Sequence, residues 1–158
     1  MKKDVLLSIS GLQIEVLEEE GVQSEPIEVI TPASYFFKGG KHYIIYEEIT
    51  EGLPGVTKNK IKIIGEESLE IMKSGIVNAH MIFEKNKNNL TYYETPYGQI
   101  LMGIHTTELS VQMEEDSMDV KVEYELDLNH EPLANCKIRM NIRSKDLAGF
   151  TMKENMEN

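Results

Sequence analysis

An all-β fold is expected from three features of the sequence: strict two-residue alternation of apolar and charged residues, turn residues between the alternating segments, and no segment with a helical period. The architecture that suits them is an antiparallel up-and-down β-barrel of about eight to ten strands. The alternation is clearest where Met118, Val120, Val122, Tyr124, Leu126 and Leu128 interleave with Asp119, Lys121, Glu123, Glu125 and Asp127. A helix would scatter those apolar residues around its circumference, whereas a strand places them on one face. Leu126 is therefore expected in the main core.

The following segment repeats the pattern with the opposite charge. Ala134, Cys136, Ile138, Met140 and Ile142 share one face, and Asn135, Lys137, Arg139, Asn141 and Arg143 the other. Residues 129–132 have the composition of a turn, and Pro132 cannot donate to a ladder. Opposing apolar residues in this hairpin requires paired residue numbers with an even sum, because a one-residue slip flips every side chain. A sum of 260 leaves a short loop but sets Lys121 against Arg139. A sum of 262 leaves the loop 129–133 and sets Glu125 against Lys137, Glu123 against Arg139 and Asp119 against Arg143. Opposite-charge cross-strand pairs contribute roughly 0.2 to 1 kcal/mol each, so 262 is the expected register.

Upstream, eight more strands are expected at residues 5–16, 27–38, 42–49, 56–64, 68–73, 78–84, 90–95 and 99–113. Gly21, Gly39-Gly40, Gly52 with Pro54-Gly55, Gly65, Gly75, Asn88-Asn89, and Pro96 with Gly98 punctuate them. Links this short imply antiparallel neighbours. In 99–113 the apolar phase changes from Ile100, Met102 and Ile104 to Leu109, Val111 and Met113, which predicts a bulge near Thr106 or Thr107. Ten strands in an open sheet would leave two edges unpaired, so closure into a barrel is favoured, with a two-sheet sandwich as the architectural alternative.

A chain of 158 residues suits one domain, expected over 1–150, with a disordered tail at 151–158. A single cysteine, Cys136, excludes an intramolecular disulfide and fits a reducing compartment. Lys2 and Lys3 imitate a leader, but Asp4, Ser8, Ser10 and Gly11 interrupt the apolar run that follows, and no segment approaches the roughly 18 apolar residues of a membrane span. A cytoplasmic protein that neither enters a membrane nor binds one is the expectation. The net charge of −11 repels a phosphate backbone, so no nucleic-acid partner is expected. Segment 56–90 departs from that balance. Its six lysines outnumber four glutamates for a net +2, which leaves −13 on the remainder.

Lys73-Ser74-Gly75, Met81 with Phe83, the stretch Tyr92-Tyr93-Glu94-Thr95-Pro96-Tyr97-Gly98, Thr106 with Leu109, and Tyr124-Glu125-Leu126-Asp127-Leu128-Asn129 together resemble the YwiB-like family of bacterial proteins. The resemblance covers nearly the whole chain, and 92–98 is its most specific part. It implies a calycin-like β-barrel, the architecture of lipocalins and fatty-acid-binding proteins, and no particular activity. At position 73 family members more often carry arginine, so a role that needs a bidentate guanidinium does not carry over to Lys73.

The residues themselves carry little catalytic chemistry. His42, His80, His105 and His130 have neither HxH nor HExxH spacing, so no metal site and no cofactor are expected. Cys136 shares the apolar parity of its strand, and Gly39-Gly40 reads as a hairpin turn instead of a phosphate cradle. The adjacent pairs Glu47-Glu48 and Glu66-Glu67 point to opposite faces. Parity nevertheless selects two charges for the interior. If Tyr43, Ile45 and Ile49 face inward, so does Glu47, and if Leu69 and Ile71 face inward, so does Lys73. Burying either alone would cost several kcal/mol, so the two are expected to share the lumen and to pair, to meet an interior tyrosine, or to sit at a wet barrel mouth.

Seven tyrosines and no tryptophan add amphipathic side chains. A wide barrel retains a cavity unless large residues fill it. The expected function is binding of a small apolar or amphipathic ligand, with Tyr43, Glu47, Lys73, Met81, Phe83, Tyr93 and Tyr124 as lumen candidates. An interaction or scaffolding domain using its acidic surface is the alternative, and an enzyme using Lys73 and Glu47 the third. Nothing in the sequence indicates the oligomeric state.

Overall fold

A computed structural model describes residues 1, 3–11, 28–50 and 52–145. The expected tail at 151–158, the last residues of the expected domain at 146–150, the turn at Gly21, residues 12–16 of the first expected strand and residue 27 of the second lie outside the described residues. Ten strands follow in chain order: β1 Asp4–Ser10, β2 Glu28–Lys38, β3 Lys41–Glu48, β4 Thr57–Ile64, β5 Ser68–Gly75, β6 Ala79–Glu84, β7 Asn88–Thr95, β8 Gly98–Met113, β9 Ser117–Leu128 and β10 Glu131–Ser144. All pair antiparallel in a single sheet ordered β6-β5-β4-β3-β2-β1-β10-β9-β8-β7.

The two terminal strands of that order, β6 and β7, meet again. Asn78 and Glu94 exchange two backbone hydrogen bonds of 3.0 and 2.9 Å, and at the other end of β6 the Asn86 N–H donates to the Thr106 carbonyl at 2.8 Å. The sheet is thereby a nearly closed barrel, which leaves little edge exposed. Its inward face is one core that includes Leu7, Ile44, Ile61, Ile63, Leu69, Ile71, Phe83, Met102, Ile104, Met118 and Leu126, each at most 1% exposed. The bulge falls where the phase change places it, with the β8–β9 register shifting between Thr106 and Glu108.

The last hairpin departs from the expected register. Lys137 opposes Glu123 and Arg139 opposes Lys121, a sum of 260, and the register shifts between Pro132 and Ala134. The turn is only Asn129 and His130, whose φ angles of 51° and 69° are both positive. That combination belongs to the type I′ turn, whose twist matches the strands it joins. Asn129 is also fastened to β8: its N–H donates to the Leu101 carbonyl at 2.8 Å and its Oδ1 accepts from the Leu101 N–H at 3.3 Å. An extra residue at 133 then restores the apolar match. The like-charge pair is relieved by Glu123, which lies 3.7 Å from Lys121 and 3.2 Å from Lys137. Turn geometry outweighs the charge ladder here.

Antiparallel connectivity gives the barrel two distinct ends. One carries the end of β3, the start of β4 and the β5–β6, β7–β8 and β9–β10 turns. The other carries the β2–β3, β4–β5 and β8–β9 turns. Among the described residues no helix is long and apolar enough to cross a membrane.

Candidate functional site

At the first end, β4 alternates Lys58, Lys60 and Lys62 with Thr57, Asn59, Ile61 and Ile63, and the second set is wholly buried. The β3–β4 register sets Tyr46 opposite Asn59 and Glu48 opposite Thr57, so Ile44, Tyr46 and Glu48 share the inward face. The expected parity of β3 is therefore reversed. Glu47 is exposed on the outer face opposite Lys58, and Tyr43 stacks there on Phe36 at 4.7 Å with the Lys60 amine 5.2 Å above its ring. The physical reason is that β3 is apolar on both faces. Its outer apolar set is covered by Phe36 and the Lys60 stem, while Ile49, which tipped the parity the other way, lies beyond the strand and is 81% exposed.

Lys73 does point inward, with only 7% exposure. Its partner is Glu48 in place of Glu47: Nζ donates to Glu48 Oε1 at 2.8 Å and to Asn59 Oδ1 at 2.9 Å. The Asn59 amide donates in turn to the same glutamate oxygen at 3.3 Å. One asparagine thus presents its carbonyl to the cation and its amide to the anion, which is how a buried ion pair meets its desolvation cost. Gly75 holds the end of β5 close to β4, because a Cβ there would collide with the Val56 carbonyl oxygen at a φ of 134°. Beside it, the Thr57 hydroxyl accepts from the Val77 N–H at 3.2 Å.

Two phenols border this pair. Burial raises the pKa of Tyr46, and the Glu48 carboxylate and Tyr93 raise it further; Tyr93 is raised by burial and then by Glu48. Both phenols stay neutral and able to donate. Lys73 has a third N–H and Glu48 a second oxygen with no protein partner among the described residues. The cluster is formally neutral, with donors and an acceptor left over.

Of the seven lumen candidates, the fold brings Lys73, Met81, Phe83, Tyr93 and Tyr124 to the interior. Phe83 and Tyr124 meet edge to face at 5.1 Å, Met81 is 3% exposed, and Tyr93 packs half-buried against the core. Tyr43 and Glu47 are excluded. Sequence reasoning missed Tyr46, Glu48 and Asn59, although the strict lysine alternation of β4 carried the signal for Asn59. Deeper inside, Thr106 Oγ1 and Asn89 Nδ2 are buried without a hydrogen-bond partner, on the adjacent strands β7 and β8. Among the described residues no group of three His, Cys, Asp or Glu side chains is placed to hold a metal.

The cluster is an acid–amine pair on the inward face of the barrel, bordered by two phenols and continuous with the apolar core. The chain belongs to the family described as a domain of unknown function, DUF1934, which matches residues 8–140. It is similar to the crystal structure of the ywiB protein from Bacillus subtilis, with a TM-score of 0.73 and 20% identity over 90% of this chain and 92% of that one. No curated protein matches the chain.

Proposed function

We propose that the barrel binds a small amphipathic molecule, with its polar head against Lys73 and Glu48 and its apolar part among Met81, Phe83 and Tyr124. The observation that carries this reading is the buried Lys73 ammonium with one N–H unspent beside Glu48, whose side chain is 26% exposed. Buried charges are costly, and their leftover hydrogen-bonding capacity is normally satisfied. Because Glu48 cancels the charge of Lys73, the head group is neutral or zwitterionic, such as a hydroxyl or an amide; a bare carboxylate would be repelled by Glu48. The unpartnered Thr106 hydroxyl and Asn89 amide supply a second polar contact farther along the lumen.

Native mass spectrometry of the purified protein, followed by denaturation and extraction, tests the proposal. A discrete mass above that of the bare chain is the expected result. If only the bare chain is seen, titration with 1-decanol followed by amide chemical shifts decides the matter. Saturable shifts at Tyr46, Lys73 and Tyr93 support the reading, and their absence overturns it.

A further inference from the structure

The opposite end of the barrel holds a cleft that the lumen reading does not use. It has a volume of about 600 Å3, and its lining includes Met1, Lys3, Tyr35, Phe37, His42 and Met113. That size suits a small organic ligand. The walls are aromatic: Phe37 lies 4.8 Å from the His42 ring, and the Tyr35 and His42 rings stack at 5.9 Å. Phe37 is 59% exposed and Phe36 40%, so both rings present area to whatever enters.

The polar feature of the cleft is the contact of 2.7 Å between the Tyr35 hydroxyl and His42 Nδ1. Burial raises the Tyr35 pKa, so the phenol keeps its proton and needs an acceptor. Nδ1 is the acceptor in reach, and the phenol therefore donates to it. Burial, and after it the positive amino terminus, lowers the His42 pKa and keeps the ring neutral. A neutral imidazole that accepts at Nδ1 carries its proton at Nε2. The dyad thus presents a defined N–H donor.

Charge completes the description. The chain carries 27 acidic residues against 16 lysines and arginines, yet among the described residues the charged side chain lining this cleft is Lys3. A lysine, an oriented imidazole N–H and aromatic walls are complementary to a flat ring that bears one negative charge. We infer that this cleft is a second binding site, for a small planar aromatic anion such as an aryl carboxylate, whose ring packs on Phe37 and whose acidic group meets Lys3 and His42 Nε2. The inference stands apart from the lumen reading, since the two share no residue.

The test uses 2-naphthoate as probe on the 15N-labelled chain, with 2-naphthalenemethanol as its neutral counterpart. Saturable shifts confined to amides 35–42, with the alcohol binding more weakly, are expected. Lys3→Glu should weaken 2-naphthoate by roughly two- to fivefold while leaving the alcohol unchanged, the size of an exposed charge pair. Phe37→Ser should weaken the shifts that both probes cause at amides 35–42. Equal binding of the two probes at amides 35–42, or no saturable shift there, would overturn the inference. Circular dichroism of Lys3→Glu and Phe37→Ser establishes that the variants fold; both residues are exposed or rim positions, so folded protein is expected.

Discussion

Where β3 meets β4 the barrel closes over an ammonium and a carboxylate 2.8 Å apart, and where β2 turns into β3 it closes over a phenol and an imidazole 2.7 Å apart. A single face of β3 serves both, through Glu48 at one end and His42 at the other. The charged end spends two hydrogen bonds to Glu48 and Asn59 to keep a lysine inside, whereas the aromatic end holds neutral groups that need only each other. The comparison teaches that one strand face can hold a charged pair at one end and a neutral pair at the other. Under the two proposals, a neutral cluster with both donors and an acceptor suits a neutral head, and a donor beside a lysine suits an anion.

The largest effect that would sharpen this contrast is expected from Glu48→Ala. It leaves the Lys73 ammonium buried without its anion, which costs about 3 kcal/mol. Replacing the pair together, as Lys73→Met with Glu48→Leu, should cost far less, because an apolar pair removes the desolvation penalty along with the attraction. Urea denaturation of the two variants compares them directly. A single variant as stable as wild type would mean that Lys73 reaches water, and the charged end would then be no more demanding than the aromatic one.

How far these ends could be read from the sequence differs in the same way. All ten strands, the closure and the bulge at Thr106 were legible, because alternation and turn residues report local geometry directly. Lys73 was legible too, since Leu69 and Ile71 set the inward parity of β5 while the other parity is mostly polar, with Ser68, Glu70 and Ser74 beside Met72. Glu48 was not: β3 has Ile44 and Tyr46 on one face and Tyr43 and Ile45 on the other, and only its pairing with β4 decides which is inside. The dyad of Tyr35 and His42 depends likewise on the β2–β3 register, which joins Tyr35 to Ile44 and Phe37 to His42. The final hairpin shows the limit from the other side. Its parity was readable, but two positive φ angles at Asn129 and His130 set its register against the charges.

At the aromatic end a smaller effect is expected. Tyr35→Phe removes one hydrogen bond between neutral, part-buried groups and should cost about 1 kcal/mol. Measured in the same urea series, it should fall well below Glu48→Ala. A loss as large as that of Glu48→Ala would show that the phenol carries more than its contact with His42, and the contrast between the two ends would fail.

The finest test is the pH dependence of His42. A histidine in an unfolded chain takes up its proton near pH 6.5. In the folded barrel burial and the amino terminus lower that value, so below pH 6.5 the unfolded state binds a proton that the folded state resists. Stability must then rise with pH in this window: the contribution of a neutral His42 is whole above about pH 6.5 and is lost as the pH falls through the lower folded value. The stability difference between wild type and His42→Gln should accordingly shrink from pH 7 to pH 5. An NMR titration of the ring reads the same quantity without the other carboxylates, and it also reports the direction of the hydrogen bond. If the Tyr35 phenol donates to Nδ1, Tyr35→Phe frees that lone pair and the His42 pKa rises toward its ordinary value. A wild-type value at or above 6.5, or one that Tyr35→Phe lowers further, would show that the imidazole is the donor, and its Nε2 would then offer an anion no proton.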